Sequence, residues 1–291
     1  MEKRKGFTLI ELLVVISIIA LLMAILIPAL AAAKKMAAGS ACLTNQKSLT
    51  TAWFTYTIEN DGKLVVGNTY RIGPGVGESW VFYPINMSGS NVTGTATLED
   101  EKRGIERGTL FPYMKDLDAY HCPADKRYKK PPTTLTGNDT PIMQNGGFRS
   151  YSIASCMNGE DSTGNTAQYN ITIHAQIKNP ANKYVFIEED DPRGLNRGGW
   201  VLDKPDNITT GAMNWTDRMA VLHNEKSTLG WADCHATMQR WSDRRTMLGA
   251  KLLNWNDWQK FAPKDGGRDG QNGNQDLVFM KQHFPHLGRW K

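Results

Sequence analysis

One stretch near the start of the chain, Lys5-Gly6-Phe7-Thr8-Leu9-Ile10-Glu11, joins a short basic segment to a long apolar one. The next 22 residues, from Leu12 to Ala33, carry no charge. At a rise of 1.5 Å per residue they make a helix about 33 Å long, roughly the thickness of the hydrocarbon core of a bilayer. The pattern therefore predicts a helix that crosses a membrane, with a single carboxylate, that of Glu11, near its start.

Three kinds of N-terminus fit such a segment. It could be a secretory signal peptide cut after the small residues at positions 28–33, a simple membrane anchor, or a leader that is cut before the apolar stretch. Glu11 favours the third, because a carboxylate in an apolar segment costs about 2–3 kcal/mol on insertion scales and has no use in a disposable signal peptide. The basic residues ahead of the segment predict a cytoplasmic N-terminus and an exported remainder.

Residues 5–28 closely resemble the leader and helix start of type IV pilins and type II secretion pseudopilins. The resemblance implies that a prepilin peptidase/methyltransferase cuts between Gly6 and Phe7 and methylates Phe7. It also implies that Glu11 pairs with the N-terminal amine of a neighbouring subunit, and that the helix can stretch at Pro28, which removes a backbone hydrogen bond. The expected product is a structural subunit of a type IV pilus-like or type II secretion pseudopilus filament. Its partners would be other pilin subunits and the inner membrane, with the head in the periplasm.

The apolar helix is predicted to continue well beyond the membrane, to about residue 60. The sequence Asn60-Asp61-Gly62 ends it, with Gly62 as a left-handed cap. The chain then divides into a leader at residues 1–6, a long helix at residues 7–60 and an exported head at residues 61–291. The first part of the helix, residues 7–33, would lie in the membrane or the filament core.

The head shows short apolar segments bounded by Gly, Pro, Asn or Asp, which predict strands. These are residues 64–66, 80–83, 150–155, 170–177, 184–188, 219–222, 228–232 and 237–241. Residues 108–114 and 242–253 are predicted to form short helices. The predicted fold class is α+β, with a long N-terminal helix packed on an antiparallel sheet that carries long loops.

The composition excludes several other classes of protein. With 40% hydrophobic and 22% charged residues in 291, the chain is not wholly disordered, and a mean hydropathy of −0.45 excludes a polytopic membrane protein. A net charge of +5 is too balanced to indicate a nucleic-acid partner. The sequence has no G-x-S-x-G, P-loop or H-E-x-x-H motif. We therefore expect no enzymatic activity and no required cofactor.

Parts of the head resemble, more weakly, a large pilin-like group of Planctomycetes–Verrucomicrobia-type bacteria. The segments that carry this resemblance are residues 42–47, 120–125 and 222–235. The group's signature ends in His, nine residues, Asp, Gly and His, and in this chain Cys234 replaces the glycine. We expect His223, Asp233 and His235 to have a structural role in a tight hairpin, where the Asp caps backbone amides. A metal or acid–base cluster is the alternative.

Four cysteines in an exported head indicate disulfide bonds, and four cysteines allow three pairings. Cys42 and Cys122 lie at positions typical of the resembling group, whereas Cys156 and Cys234 do not. The resemblance therefore favours the pairs Cys42–Cys122 and Cys156–Cys234. Zinc has less support, because the chain has no C-x-x-C and its His and Cys neighbours are adjacent rather than at the spacing of zinc-finger ligands.

A run of four carboxylates, Glu188-Glu189-Asp190-Asp191, follows a predicted strand. Carboxylates in a loop are ligands that Ca²⁺ prefers, so a calcium site is one interpretation of the run. The alternative is a solvated acidic turn that neighbouring arginines partly balance.

The chain contains nine tryptophans, most of them in the head. Exposed indole rings can stack on sugars. The alternative function is therefore an exported binding module, glycan-binding through these tryptophans, behind an ordinary signal peptide or anchor. If the rings are buried instead, they fill the core of the head.

Overall fold

The computed structural model describes residues 8–70, 79–130, 142–159, 170–191, 196, 198–202, 215–252 and 274–286. Five α-helices and eight strands lie within these residues. The helices are α1 (Leu9–Glu59), α2 (Leu98–Glu106), α3 (Phe111–Met114), α4 (Arg244–Gly249) and α5 (Gln275–His283). The strands are β1 (Val66–Tyr70), β2 (Ser79–Phe82), β3 (Thr95–Ala96), β4 (Ile142–Met143), β5 (Tyr151–Ile153), β6 (Tyr184–Glu188), β7 (Lys226–Trp231) and β8 (Ala236–Arg240).

Helix α1 is defined by local signals at both of its ends. Thr8 is the N-cap, and its hydroxyl accepts a hydrogen bond from the backbone N–H of Glu11 at 3.3 Å. The carboxylate of Glu11 accepts in return from the backbone N–H of Thr8 at 2.8 Å, which completes a capping box. The helix ends at Glu59, and Gly62 follows at a φ of 80°, donating its N–H to the carbonyl of Thr57 at 2.9 Å. The predicted cap at Gly62 is confirmed.

The second half of α1 packs on a four-stranded antiparallel sheet with the strand order β5-β6-β7-β8. Its buried residues recur at intervals of three and four, which places them on one face of the helix. They include Cys42, Gln46, Leu49, Trp53 and Tyr56. The head is therefore α+β, as predicted.

Gly230 in β7 allows the helix to approach the sheet closely. A Cβ at this position would lie 2.5 Å from Cγ2 of Thr50 and 2.9 Å from Oε1 of Gln46, both on α1. The side-chain amide of Gln46 also donates to the backbone carbonyl of Thr228 in β7, at 3.2 Å. The helix and the sheet are therefore joined by close backbone contact as well as by apolar side chains.

Some smaller features of the head were not predicted. Strands β1 and β2 pair in parallel, as do β3 and β4, whereas the predicted sheet was antiparallel. Helix α2 also went unpredicted, although it has a local signal. Thr97 caps it through a reciprocal box with Asp100, in which a shorter acid takes the place of the usual Glu or Gln.

The predicted strands have mixed outcomes. The strand at residues 184–188 is confirmed as β6, and the predictions at 80–83, 150–155, 228–232 and 237–241 overlap β2, β5, β7 and β8. The strand at 170–177 is wrong, because that segment forms single bridges at Ile171 and Ile173 and a 3₁₀ turn at His174–Gln176. The strand at 219–222 is also wrong, since only Met219 is bridged, to Glu189.

The tryptophans of the described residues fill the core of the head. Each has an exposed fraction of 5% or less: Trp53, Trp80, Trp200, Trp215, Trp231 and Trp241. The guanidinium of Arg149, itself buried, lies over the ring of Trp80 at 4.8 Å. None of these six rings is available to stack on a sugar. The remaining tryptophans lie outside the described residues.

Candidate functional site

The first half of α1 is an apolar rod without packing partners in the described part of the chain. Large side chains from Leu9 to Leu30 are about half exposed or more. The helix has an 18-residue window with a mean hydropathy of 3.1, none of it buried. It is therefore long and apolar enough to cross a membrane, and its apolar surface needs lipid or other protein chains to cover it.

Polar groups at the start of this rod are satisfied within the chain. The carboxylate of Glu11 accepts from both the backbone N–H and the hydroxyl of Thr8, each at 2.8 Å. Sequence analysis assigned Glu11 an assembly role and did not predict this capping role. The helix continues without a break through Pro28. Gly6 and Phe7, the predicted cleavage and methylation residues, lie outside the described residues.

The first two carboxylates of the predicted calcium run point away from each other. Glu188 is the last residue of β6, and one of its carboxylate oxygens lies 2.9 Å from Nε2 of His223. The carboxylate of Glu189 instead accepts a hydrogen bond from the hydroxyl of Ser152. The two residues occupy opposite faces because side chains alternate along an extended strand.

The third carboxylate has yet another neighbour. Asp190 pairs with the guanidinium of Arg218 at 2.8 Å, and the backbone N–H of Asp191 donates to the side-chain oxygen of Asn196 at 3.3 Å. The ligand set predicted for calcium therefore does not converge, since Glu188, Glu189 and Asp190 contact three different groups. Neither is the run a solvated turn, because all but Asp190 are buried.

Asp233 and His235 lie in the turn between β7 and β8. Oδ1 of Asp233 accepts from the backbone N–H of His235 at 3.3 Å and lies 2.5 Å from its Nδ1. The imidazole of His235 stacks on Trp231, with ring centroids 5.3 Å apart. His223 is not part of this arrangement, because it is buried beneath α1. The structure thus divides the predicted signature between a turn and a separate buried cluster.

Cys234 occupies a strained position in the same turn. Its φ is 72°, a left-handed conformation that costs an L-residue about 1–2 kcal/mol. Glycine adopts this conformation without that cost, which gives a physical reason for the glycine in the signature of the resembling group.

We expect Cys234→Gly to raise the free energy of unfolding by about 1 kcal/mol. The sulfur makes a long contact, 3.7 Å to the carbonyl of Thr50, so little is lost. Thermal unfolding of the detergent-solubilised full-length chain measures the effect. Cys234→Ala is the matched control, because it removes the sulfur and keeps the strain. An equal gain in both variants would mean that the thiol, not the backbone, is responsible.

The structure forms neither of the predicted disulfide bonds. Cys156 follows β5, and Cys234 lies in the turn between β7 and β8, so β6 separates the two. Cys42 and Cys122 do meet, but as two members of a larger group of buried polar side chains.

This group, the Cys–Glu–His cluster, consists of Cys42, Cys122, Glu188 and His223. One ligand-type atom from each residue lies within 4.8 Å of all the others. Oε1 of Glu188 lies 2.5 Å from Sγ of Cys42 and 2.9 Å from Nε2 of His223, and that nitrogen lies 3.3 Å from Sγ of Cys122. At most 4% of each residue is exposed. Helix α1, the segment after the 3₁₀ turn at Asp118–Tyr120, strand β6 and the loop before β7 each supply one member.

The members of the cluster strongly affect one another's ionisation. Burial, the hydrogen bond with Cys122 and the charge of Glu188 raise the pKa of the Cys42 thiol far above its ordinary value. The hydrogen bond from Cys42 lowers the pKa of the Cys122 thiol, and that with His223 acts in the same direction. Burial alone would lower the pKa of His223, but hydrogen bonds to Cys122 and Glu188 raise it to about 10. The pKa of Cys122 is therefore lowered and that of His223 raised, as expected for a thiol and an imidazole that share a hydrogen bond.

The geometry of the Cys–Glu–His cluster differs from that of a catalytic relay, although both combine a thiol, a His and an acid. In such a relay the acid holds one imidazole nitrogen while the other activates the nucleophile. Here Glu188 and Cys122 both contact the same nitrogen, Nε2 of His223. The sulfur is also fully buried, so no substrate can reach it. The three side chains converge on one point instead of forming a chain.

Comparison with known proteins yields one match, at the N-terminus. Residues 1–27 match the family model described as the prokaryotic N-terminal methylation motif. None of the curated proteins or solved structures compared with the chain matches it. Together with the exposed apolar half of α1, this motif supports a pilin-like protein in general, and it implies processing by a prepilin peptidase and assembly with other pilin subunits. It points to a structural subunit.

The Cys–Glu–His cluster is the part of the head that sequence reasoning missed. Its members are far apart in the chain: Glu188 comes 146 positions after Cys42, and His223 comes 101 positions after Cys122. No short motif connects them. The signal within reach was that Glu188 and His223 belong to residue types less often fully buried than apolar ones, and that each lies in or next to an apolar segment.

Proposed function

We propose that the chain is a structural subunit of a type IV pilus-like or type II secretion pseudopilus filament. It is made as a prepilin, cut between Gly6 and Phe7 and methylated on Phe7. Its helix holds it in the inner membrane with the head in the periplasm, and later becomes part of a filament core. The N-terminal methylation motif at residues 1–27 carries this proposal.

The exposed half of α1 supports the proposal on physical grounds. Its apolar surface has no partner in the described head, so it must be covered either by lipid or by other chains. Burial of apolar surface contributes about 25 cal/mol per Å², so a modest contact repeated along the rod stabilises an assembly. A contact between different surfaces of successive copies is head-to-tail and generates an open helical filament.

Mass spectrometry of the mature N-terminus tests the proposal. We expect wild-type protein from membranes to begin at Phe7 and to carry a methyl group on its amine. Gly6→Val is expected to leave residues 1–6 attached, because a peptidase that grips extended backbone at the cut excludes a β-branched side chain there. Glu2→Gln, in the same leader but away from the cut, is the control and should be processed normally.

The same measurement distinguishes the filament subunit from the alternative function. A chain that begins near Ala32 or Lys34 has lost the apolar helix to a signal peptidase. That result contradicts the filament subunit and leaves an exported binding module. A chain that keeps Met1 in the wild type also contradicts the filament subunit, and it leaves an exported binding module behind a simple membrane anchor.

A further inference from the structure

We propose that Cys42, Cys122, Glu188 and His223 bind a zinc ion that fastens α1 to the sheet of the head. The four ligand-type atoms converge from four separate segments into one buried point. This inference goes beyond filament assembly and does not depend on it, because the cluster lies wholly within the head and the half of α1 that packs on it.

The distances within the cluster are close to those around a tetrahedral ion. Zinc bonds of about 2.0–2.3 Å place neighbouring ligand atoms roughly 3.3–3.8 Å apart. Nε2 of His223 and Sγ of Cys122 already lie 3.3 Å apart. The closest pair is Oε1 of Glu188 and Sγ of Cys42 at 2.5 Å, and an ion at the centre would draw these two atoms apart. The movement required is about 1 Å or less.

The chemistry of the donors selects among metals. Two sulfurs and an imidazole exclude calcium and magnesium, which take oxygen ligands. Zinc accepts Cys, His and carboxylate ligands, and a site closed by four protein ligands is characteristic of structural zinc. Because all four positions are filled by side chains and none is exposed by more than 4%, the site leaves no open position for water. It is therefore a structural site, not a catalytic one.

Neighbouring groups hold two of the ligands in place. The hydroxyls of Tyr151 and Thr228 each lie 3.0 Å from Sγ of Cys42, where they can donate to a thiolate. The backbone N–H of Thr228 donates to Oε2 of Glu188 at 3.0 Å, which leaves Oε1 directed into the cluster. Such surrounding hydrogen bonds orient metal ligands and increase their affinity.

The imidazole of His223 also points into the cluster, through its Nε2. Its polar contacts in the described structure are made through Nε2 alone, whereas Nδ1 is buried without a hydrogen-bond partner. Nδ1 faces α1 at Gly39, where an added Cβ would lie 3.6 Å from it. The ring thus directs Nδ1 towards the helix and Nε2 to the point where the other three atoms meet.

Metal analysis of the full-length protein, purified in detergent without reductant or chelator, tests the site. We expect about one zinc ion per chain, and a decrease of about tenfold or more in Cys42→Ser and His223→Gln. Cys234→Ser is the matched control, since it removes a thiol outside the cluster and should leave the zinc content unchanged. Growth with Co²⁺ should give the visible absorption of a tetrahedral site with two thiolates.

A more conservative substitution tests the zinc site even if the ligand variants fail to fold. Thr228→Val retains the shape of the side chain and the backbone N–H, and removes only the hydroxyl beside Cys42. We expect it to bind zinc about 10–100-fold more weakly in a chelator competition. Wild-type protein without zinc, or with a Cys42–Cys122 disulfide in non-reducing peptide mass spectrometry, would overturn the proposal. So would equal zinc content in His223→Gln and wild type.

Discussion

Replacing Glu11 with Gln should prevent the chain from entering filaments, whereas replacing Thr8 with Ala should not. In the proposed filament the Glu11 carboxylate meets the amine of a neighbouring Phe7 within apolar surroundings. Breaking a buried ion pair by removing one partner costs about 3–5 kcal/mol, because the other charge is left uncompensated. At 1.4 kcal/mol for each factor of ten, we expect incorporation to fall by about 100-fold or more.

The structure makes these two variants informative because Glu11 has a second role. It forms a reciprocal capping box with Thr8, and loss of a cap costs about 1 kcal/mol of helix stability. Gln also serves as the third residue of a capping box, so Glu11→Gln removes the charge and keeps the cap. Thr8→Ala removes the cap and keeps the charge.

The measurement compares the amount of each variant in sheared filaments with its amount in membranes. The membrane fraction is the control for expression and insertion, which both variants should leave unchanged. If Glu11→Gln assembles like the wild type while Thr8→Ala does not, then helix capping, not charge pairing, is what the position provides. Equal assembly of both would remove the carboxylate from the proposed mechanism.

The parts of the fold that follow from the sequence are those fixed by neighbours in the chain. The end of α1 depends on Gly62 and the five residues before it, and β6 depends on an apolar run of five. These signals are local, so the predicted boundaries hold. The segment at residues 170–177 has similar composition, but tertiary contacts reduce it to single bridges at Ile171 and Ile173.

The candidate sites were harder to predict because burial decides their roles. Glu188 and Glu189 look alike in the sequence, yet the alternation of β6 directs one to the Cys–Glu–His cluster and the other to Ser152. The run of four carboxylates was interpreted as calcium ligands from its composition. Composition does not specify which face of a strand each side chain occupies. Cys42 and Cys122 were predicted to form a disulfide bond, but the structure places their thiols unbonded in one cluster. The other two members of that cluster, Glu188 and His223, come from distant parts of the chain.

Trp53→Ala should lower the free energy of unfolding of the head by about 3–5 kcal/mol. Trp53 is fully buried on the face of α1 that packs on the sheet. Its ring lies 5.8 Å from that of His174, whose Nε2 is 3.2 Å from the carbonyl of Ala232 after β7. The indole N–H has no hydrogen-bond partner in the described structure, so truncation removes packing alone and leaves a cavity.

Ile58→Ala is the matched control for this truncation. Ile58 is on the same helix, five residues further along, and is 65% exposed, so its removal should change stability by about 0.5 kcal/mol or less. Thermal unfolding followed by near-ultraviolet circular dichroism of the full-length chain in detergent compares the two. Because whole domains are stable by only about 5–15 kcal/mol, the loss of Trp53 alone should remove a large fraction of the stability of the head. Equal stability of the two variants would mean that packing on α1 does not stabilise the head. In a filament built on α1, the heads would then be only weakly attached.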